Sequence, residues 1–328
     1  YSFGGTIDFV ACSPQRQSRD DDIDLVPPAS MIGYFMHRIE DVLNGGPEFP
    51  MRDYTKNPIK VYNINTRSRF DKLMAIIEKA DAVAVDTEAT SLQRYRNTLL
   101  SIQFAVNDRE GYFLPLFHSE TPFCNSDLEY ISDKLRTLFQ EKGKGYWIFH
   151  NAKFDMTLLR VSRTLGSIGV EYFKAPAWDT LSGEFLLDEN MKFVRQKYGP
   201  YFRPYQLDHA AMRYGCTVHH TAGFSKSERK NMGSAQLWKF EKYATYDAVV
   251  TFALHEVQAK LAESRGHAGY RAFQLGQFSS MHNAFSAVES RGMFMDTAYC
   301  LELIGPQSPL KEEFNRAYNR LFSMPAIN

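Results

Sequence analysis

Residues 81–92 read DAVAVDTEATSL. An alanine and valine run of this kind fits a strand in a core, yet it ends on two acids, Asp86 and Glu88. If the strand continues through them, both side chains point to one face. Like charges held side by side raise each other's pKa unless something positive holds them. By itself the pair fits two solvated turn acids as well as a site, so its meaning depends on which other acids the chain brings near.

The 328 residues are enough for one large domain or two ordinary ones. Hydrophobic residues make up 44% and charged residues 23%, a globular composition rather than a disordered one. Lys plus Arg equals Asp plus Glu at 38 each, so a globally basic nucleic-acid binder is excluded while a local basic groove is not. The four cysteines, Cys12, Cys124, Cys216 and Cys300, show no CxxC and no zinc spacing. They read as reduced thiols in a cytoplasm-like compartment. No apolar run approaches the roughly 20 residues of a membrane span. The chain starts at Tyr1 without a Met, which suggests a processed product or a piece of something longer.

Residues 1–57 hold an acidic run at Asp20, Asp21, Asp22 and Asp24 and one plausible helix, MIGYFMHRIEDVL, between Pro and Gly breakers. The run reads as a solvated loop. IKVYNI, DAVAVD, TLLSIQFAV and GYFLPL then read as short strands. SDLEYISDKLRTLFQEKG reads as an amphipathic helix with Asn125 or Ser126 as N-cap, YWIFHN as a strand and FDMTLLRVSRTLG as a helix. Asp179 looks like the N-cap of a further helix, TLSGEFLLDEN. Strands first, one β–α–β crossover and a largely helical remainder beyond 205 predict an α/β fold, a mixed sheet flanked by helices. Gly266 and Gly269 mark a candidate domain boundary.

Further acids sit at structured positions. In WIFHNAKFDMTLLR a strand ends at Phe149 and Asp155 falls in the first turn of the next helix, where the macrodipole favours an anion. In KYATYDAVVTFAL, Tyr243 and Asp247 are four apart and share a helix face among apolar neighbours. An acid there is costly unless it is paired or bound to metal. Carboxylates are ligands of hard divalent cations, and four of them can hold two ions roughly 3.5–4 Å apart, the arrangement suited to phosphodiester cleavage.

DTEATSL, HNAKFD and YATYD resemble, in order, the three exonuclease motifs of the DEDD superfamily in its tyrosine-containing branch. That branch includes the proofreading domains of family A (DNA polymerase I-type) polymerases, ribonuclease D and the Werner-type exonucleases. AWDTLSGEFLLDEN and YQLDHAAMRYG are similar to intermediate helices of the polymerase I proofreading domain, and AFSAVESRGMFMDTAYC to the segment that enters the polymerase domain. The resemblance implies a ribonuclease H-like mixed sheet. It divides the chain into an N-terminal extension (1–57), a 3′-5′ exonuclease domain (58–265) and the helical start of a polymerase domain (266–328). The remainder of that polymerase lies elsewhere in the same chain or in a separate one, and no palm or fingers motif occurs within these residues.

The implied activity is hydrolysis of the 3′-terminal phosphodiester of single-stranded DNA with two Mg²⁺ or Mn²⁺ ions. Asp86, Glu88 and Asp247 would hold the first ion and Asp86 with Asp155 the second. Tyr243 would orient the attacking water, since a phenol with pKa about 10 is a poor base at pH 7. Leu92 would wedge against the terminal base, with Asn151 and Phe154 beside the substrate. Single-stranded DNA needs a positive path with stacking faces. Arg195 and Lys197 in KFVRQKYGPYFRPYQ, and Lys226, Arg229 and Lys230 in FSKSERKNMGSAQLWK, are the candidates. A ribonuclease D-like RNA exonuclease would use the same residues, and a non-catalytic module of a polymerase assembly would tend to lose acids that are all present here.

Overall fold

A computed structural model describes residues 52–54, 56–91, 97–161, 168–189, 205–217, 231–292, 295–305 and 308–322. The chain falls into two compact units, Tyr1–Ser290 and Arg291–Asn328. The first unit therefore runs past the Gly266/Gly269 break, and the reason is the packing of its last helix, given below.

In chain order, the first unit contains strand β1 (Arg52–Asp53), strand β2 (Lys60–Asn63) and helix α1 (Arg67–Lys79). Strands β3 (Ala82–Ala89), β4 (Leu99–Ala105) and β5 (Glu110–Pro115) follow, then α2 (Asn125–Glu141), β6 (Tyr146–Phe149), α3 (Ala152–Val161), β7 (Ala177–Asp179) and α4 (Thr180–Leu187). After these come α5 (Leu207–Arg213), β8 (Cys216–Thr217), the long α6 (Leu237–Ser264), a short α7 (Tyr270–Phe273), a π-turn (Gln274–Phe278) and α8 (Ser279–Arg291). Helix α1 lies in a stretch expected to hold only strands. Thr66 caps it by accepting the Arg69 N–H, and Phe70, Leu73, Met74 and Ile77 form its buried stripe. The N-cap of α2 is Cys124, not Asn125 or Ser126. The Asp127 carboxylate accepts the Cys124 N–H at 3.2 Å and supplies the reciprocal bond of a capping box.

The six-stranded sheet has the order β2-β5-β4-β3-β6-β7. Strand β4 runs antiparallel to both neighbours, and the other pairings are parallel. This is the mixed ribonuclease H-like sheet expected from the sequence. A separate two-stranded pairing joins β1 to β8. With only β4 reversed, the carboxyl ends of β3, β6 and β7 lie side by side, and in open α/β sheets that edge is where ligands bind.

Alternation along β3 divides the core into two layers. Val83 and Val85 join the cluster built with α1, α2 and α3, whereas Ala84 joins the cluster built with α4, α5 and α6. Helix α6 can lie close to the sheet because its seat is small. A Cβ on Gly111 of β5 would meet Thr245 Cγ2 at 2.3 Å and Val249 Cγ2 at 2.9 Å. Apart from its ends, α6 is buried on most sides, which explains its weak amphipathicity.

Helix α8 packs with its polar side inward. Ser286 is buried, the Ser279 hydroxyl accepts the Ala177 N–H at 2.8 Å, and Arg160 of α3 bonds Asn283 and Ser286. Lys153 pairs with Glu289 at 2.7 Å. The apolar residues Met281, Phe285 and Val288, at i, i+4 and i+7, are 41%, 50% and 63% exposed. Side chains of the π-turn and α8 thus satisfy the open edge of β7, and α8 belongs to the first unit through these bonds. The second unit, by itself, consists of α9 (Thr297–Ile304), capped by Asp296, and α10 (Pro309–Phe322).

No described helix is long and apolar enough to cross a membrane. Among the described residues no disulfide involves Cys124, Cys216 or Cys300.

Candidate active site

The alternation of β3 sorts the residues of its DTE sequence. Asp86 and Glu88 share the face of Ala84 and point toward α6, while Thr87 follows Val83 and Val85 toward α3. On α6, Asp247 comes from the helix side that meets the sheet. The carboxylates of Asp86, Glu88 and Asp247 offer oxygens that all lie within 4.8 Å of one another. A bulge at Glu88/Ala89 interrupts the β3–β4 ladder at this point, a device that re-aims side chains beside sites.

Asp155 stands outside that triad. It lies in the first turn of α3, is 3% exposed, and accepts a hydrogen bond from Thr87 Oγ1 at 2.5 Å. The four acids thus approach the end of β3 from its two faces. Thr87, between the two motif acids, is tied to the third.

The electrostatics follow from burial and from the acids' own proximity. Burial pushes Asp86 and Glu88 well above the usual carboxylate range, and the charges of Asp247 and Asp155 add to the rise in both, with that of Glu88 also raising Asp86. Asp155 is pushed up to about 7 by burial, against the opposing effect of the Thr87 hydrogen bond. Tyr243 is raised well above its ordinary value by burial and then by Asp247 and Glu88, so its phenol keeps its proton. Among the described residues no Lys or Arg forms an ion pair with Asp86, Glu88 or Asp155. An all-carboxylate donor set fits hard divalent ions such as Mg²⁺ or Mn²⁺.

Two supporting residues were not anticipated. Strand β4 pairs Gln103 with Asp86 and Ser101 with Glu88. Both polar side chains are fully buried in an otherwise apolar strand. With its amide oriented to satisfy its neighbours, Gln103 donates to Asp86 Oδ2 at 3.2 Å and accepts from Ser101 Oγ at 2.5 Å. The signal was present in LLSIQFA, where Ser and Gln occupy alternate positions just as the two acids do.

Of the expected substrate contacts, Asn151 is exposed at the turn between β6 and α3, and Phe154 is half-buried against the α1–α3 core. Leu92, Arg195, Lys197, Lys226, Arg229 and Lys230 lie outside the described residues, as does the acidic run at 20–24.

A mixed sheet with acids gathered at the carboxyl end of its central strand defines a class of metal-dependent nuclease sites. The family model of the 3′-5′ exonuclease of A-type DNA polymerases matches residues 61–262, and the chain belongs to that family. It is 24% identical over 246 residues to DNA polymerase I of Borreliella burgdorferi, covering 74% of this chain and 24% of that one. To DNA polymerase I of Pseudomonas aeruginosa it is 25% identical over 235 residues, covering 68% and 23%. The chain therefore spans about a quarter of the length of these curated relatives. Among solved structures, Brucella melitensis NrnC bound to pGG aligns at 15% identity and a TM-score of 0.48, covering 71% of this chain and 95% of that one. Escherichia coli RNase D, described as an exoribonuclease involved in structured RNA processing, aligns at 16% identity and a TM-score of 0.47, covering 70% and 52%.

Proposed function

We propose that this chain removes nucleotides from the 3′ end of single-stranded DNA and is the proofreading part of a family A DNA polymerase used in replication. The observation that carries the reading is the convergence of Asp86, Glu88 and Asp247 on one point, with Asp155 buried beside them, in a chain of the 3′-5′ exonuclease family. Residues 58–265 are the exonuclease domain in this reading, and residues 266–328 the helical start of the polymerase domain, whose remainder is the partner. The extension at 1–57 has no assigned role.

Asp86, Glu88 and Asp247 would hold one divalent ion, and Asp86 with Asp155 a second. Bound there, such ions lower the pKa of water and stabilise charge on a leaving oxygen. The chain's own residues do the rest. Thr87 fixes the Asp155 carboxylate through its hydroxyl, and Gln103 fixes that of Asp86. Tyr243, kept protonated by burial and then by the surrounding acids, positions the attacking water as a donor or acceptor and does not serve as a base. Asn151 and Phe154 flank the terminal nucleotide, Leu92 wedges against its base, and Arg195, Lys197, Lys226, Arg229 and Lys230 guide the strand.

The test is a gel assay of 5′-labelled single-stranded DNA with matched RNA alongside, with and without Mg²⁺ or Mn²⁺. An Asp86→Ala/Glu88→Ala variant runs beside the parent chain. The expected result is metal-dependent, stepwise shortening of the DNA from its 3′ end that the variant lacks. Preference for RNA would replace the substrate assignment with a ribonuclease D-like one. No cleavage of either by folded protein would leave a non-catalytic module.

A further inference from the structure

Asn151 is the one non-glycine among the described residues with a positive φ, 69°. Left-handed backbone is costly for a residue with a Cβ, although Asn tolerates it better than most, and such positions persist only where their surroundings enforce them. Here the enforcing group is the carboxylate of Asp179, at the end of the neighbouring strand β7. Asp179 Oδ1 accepts the Asn151 N–H at 2.8 Å. The Asn151 carbonyl in turn accepts the Phe154 N–H at 2.9 Å in the first turn of α3, the turn that also carries Asp155.

Asp179 also caps α4, with Oδ1 accepting the Leu181 N–H at 3.1 Å. Capping alone needs one oxygen and one N–H, and a Ser or Thr would serve. Asp179 does considerably more. Its Oδ2 accepts the Ser182 hydroxyl at 2.9 Å and lies 3.2 Å from His282 Nε2 of α8, close enough for an ion pair though without hydrogen-bond alignment. Its backbone N–H and carbonyl are both bonded by the Gln274 side-chain amide, at 3.5 and 3.3 Å. At 1% exposure, Asp179 is locked by the π-turn and α8 on one side and holds Asn151 on the other.

We propose that Asp179 is a positioning residue of the exonuclease site: its carboxylate holds Asn151 in the left-handed conformation that presents the Asn151 side chain to the 3′-terminal nucleotide. This deepens the functional reading above and rests on it. The segment after residue 265 contributes through the same contacts, because the Gln274 side chain holds the Asp179 backbone. Asn151 then loses its effect on substrate binding when Asp179 is removed, although Asp179 touches no substrate.

The experiment compares Asp179→Ala, Asp179→Asn, Asn151→Gly and the Asp179→Ala/Asn151→Gly pair in the full chain. Readouts are KM and kcat on 5′-labelled single-stranded DNA with Mg²⁺, and hydrogen exchange of the Asn151 amide. Asp179→Ala should raise KM about tenfold with a much smaller change in kcat, as expected when one charge-assisted hydrogen bond is lost. The same variant should speed exchange of the Asn151 amide. Asp179→Asn keeps an oxygen for both N–H groups and should recover most of the loss. Glycine adopts a positive φ freely, so Asp179→Ala should add little to KM in the Asn151→Gly background. An equal KM rise in both backgrounds would overturn the clamp in favour of a general disturbance of α4. So would an unchanged KM in an active parent whose Asp179→Ala variant merely melts lower. A folded but inactive parent in which Asn151 exchange still depends on Asp179 would overturn the exonuclease role of the clamp together with the functional reading.

Discussion

Replacing Asp155 by Asn tests the electrostatics of the site without relying on catalysis. Asp155 is buried, its carboxyl is pushed from 3.8 to about 7, and Asn keeps an oxygen for the Thr87 hydroxyl. The folded pKa lies above the unfolded one, so the protonated form is the favoured one in the fold. Its contribution to stability is complete below about pH 4 and is lost as the pH rises through about 7. A rise of about 3 units corresponds to about 4 kcal/mol at pH 8, an upper bound because water and counter-ions enter a metal-free site. Half of that, about 2 kcal/mol, becomes a gain of roughly 4–8 °C in melting temperature for a domain of this size. The assay is thermal unfolding of parent and Asp155→Asn in EDTA at pH 5 and pH 8. The variant should melt higher at pH 8, with a much smaller advantage at pH 5. Added Mg²⁺ should stabilise the parent, by binding the folded state, and shrink the difference. A gain equal at both pH values, or a loss at pH 8, would refute the buried-charge account of Asp155.

Thr87→Val keeps the shape of the side chain and removes the hydroxyl that Asp155 accepts. Cleavage should fall roughly 10-fold or more, the scale of a hydrogen bond to a charged group, and because that bond lowers the Asp155 pKa, the acid limb of the pH–rate profile should move upward; a slower enzyme with an unmoved profile would count against it. On α8, Phe285→Ser should leave stability in urea within about 0.5 kcal/mol, since the ring faces outward, whereas Ser286→Leu should cost about 1–3 kcal/mol by overpacking a buried polar seam. The reverse order would mean that the apolar face of α8 is the packed one.

Short-range chemistry made much of this legible in the sequence. The strands around Asp86, the Asp179 cap and the helical spacing of Tyr243 and Asp247 depend on alternation and periodicity, which one segment carries alone. The elements that escaped were those decided by partners distant in sequence. The stretch holding α1 reads RSRFDKLMAIIEK, with apolar residues at helical spacing, but its neighbours on both sides are strands and drew the expectation their way. At the start of α2, a cysteine cannot be told from a serine or asparagine as the capping residue until Asp127 is seen to reach back to it. Helix α8 shows the limit of amphipathicity as a guide. Its two faces are plain in the sequence, but which one faces inward depends on Arg160, Lys153 and the unsatisfied edge of β7.

The same reasoning explains why the motif is spelled Asp-Thr-Glu and not as three acids. A β-strand sends alternate residues to opposite faces, so only the first and third positions reach α6 and Asp247. The middle residue faces α3 and meets Asp155, whose own carboxylate already bears the cost of burial. An acid there would face another at close range with no intervening cation. A neutral residue of the right length with a hydroxyl instead donates to Asp155 and partly offsets that cost. Strand β4 adds polar side chains at alternate positions, where Ser101 donates to Gln103 and Gln103 donates to Asp86. The periodicity that builds the sheet is therefore also what brings four carboxylates to one strand end from two faces rather than one.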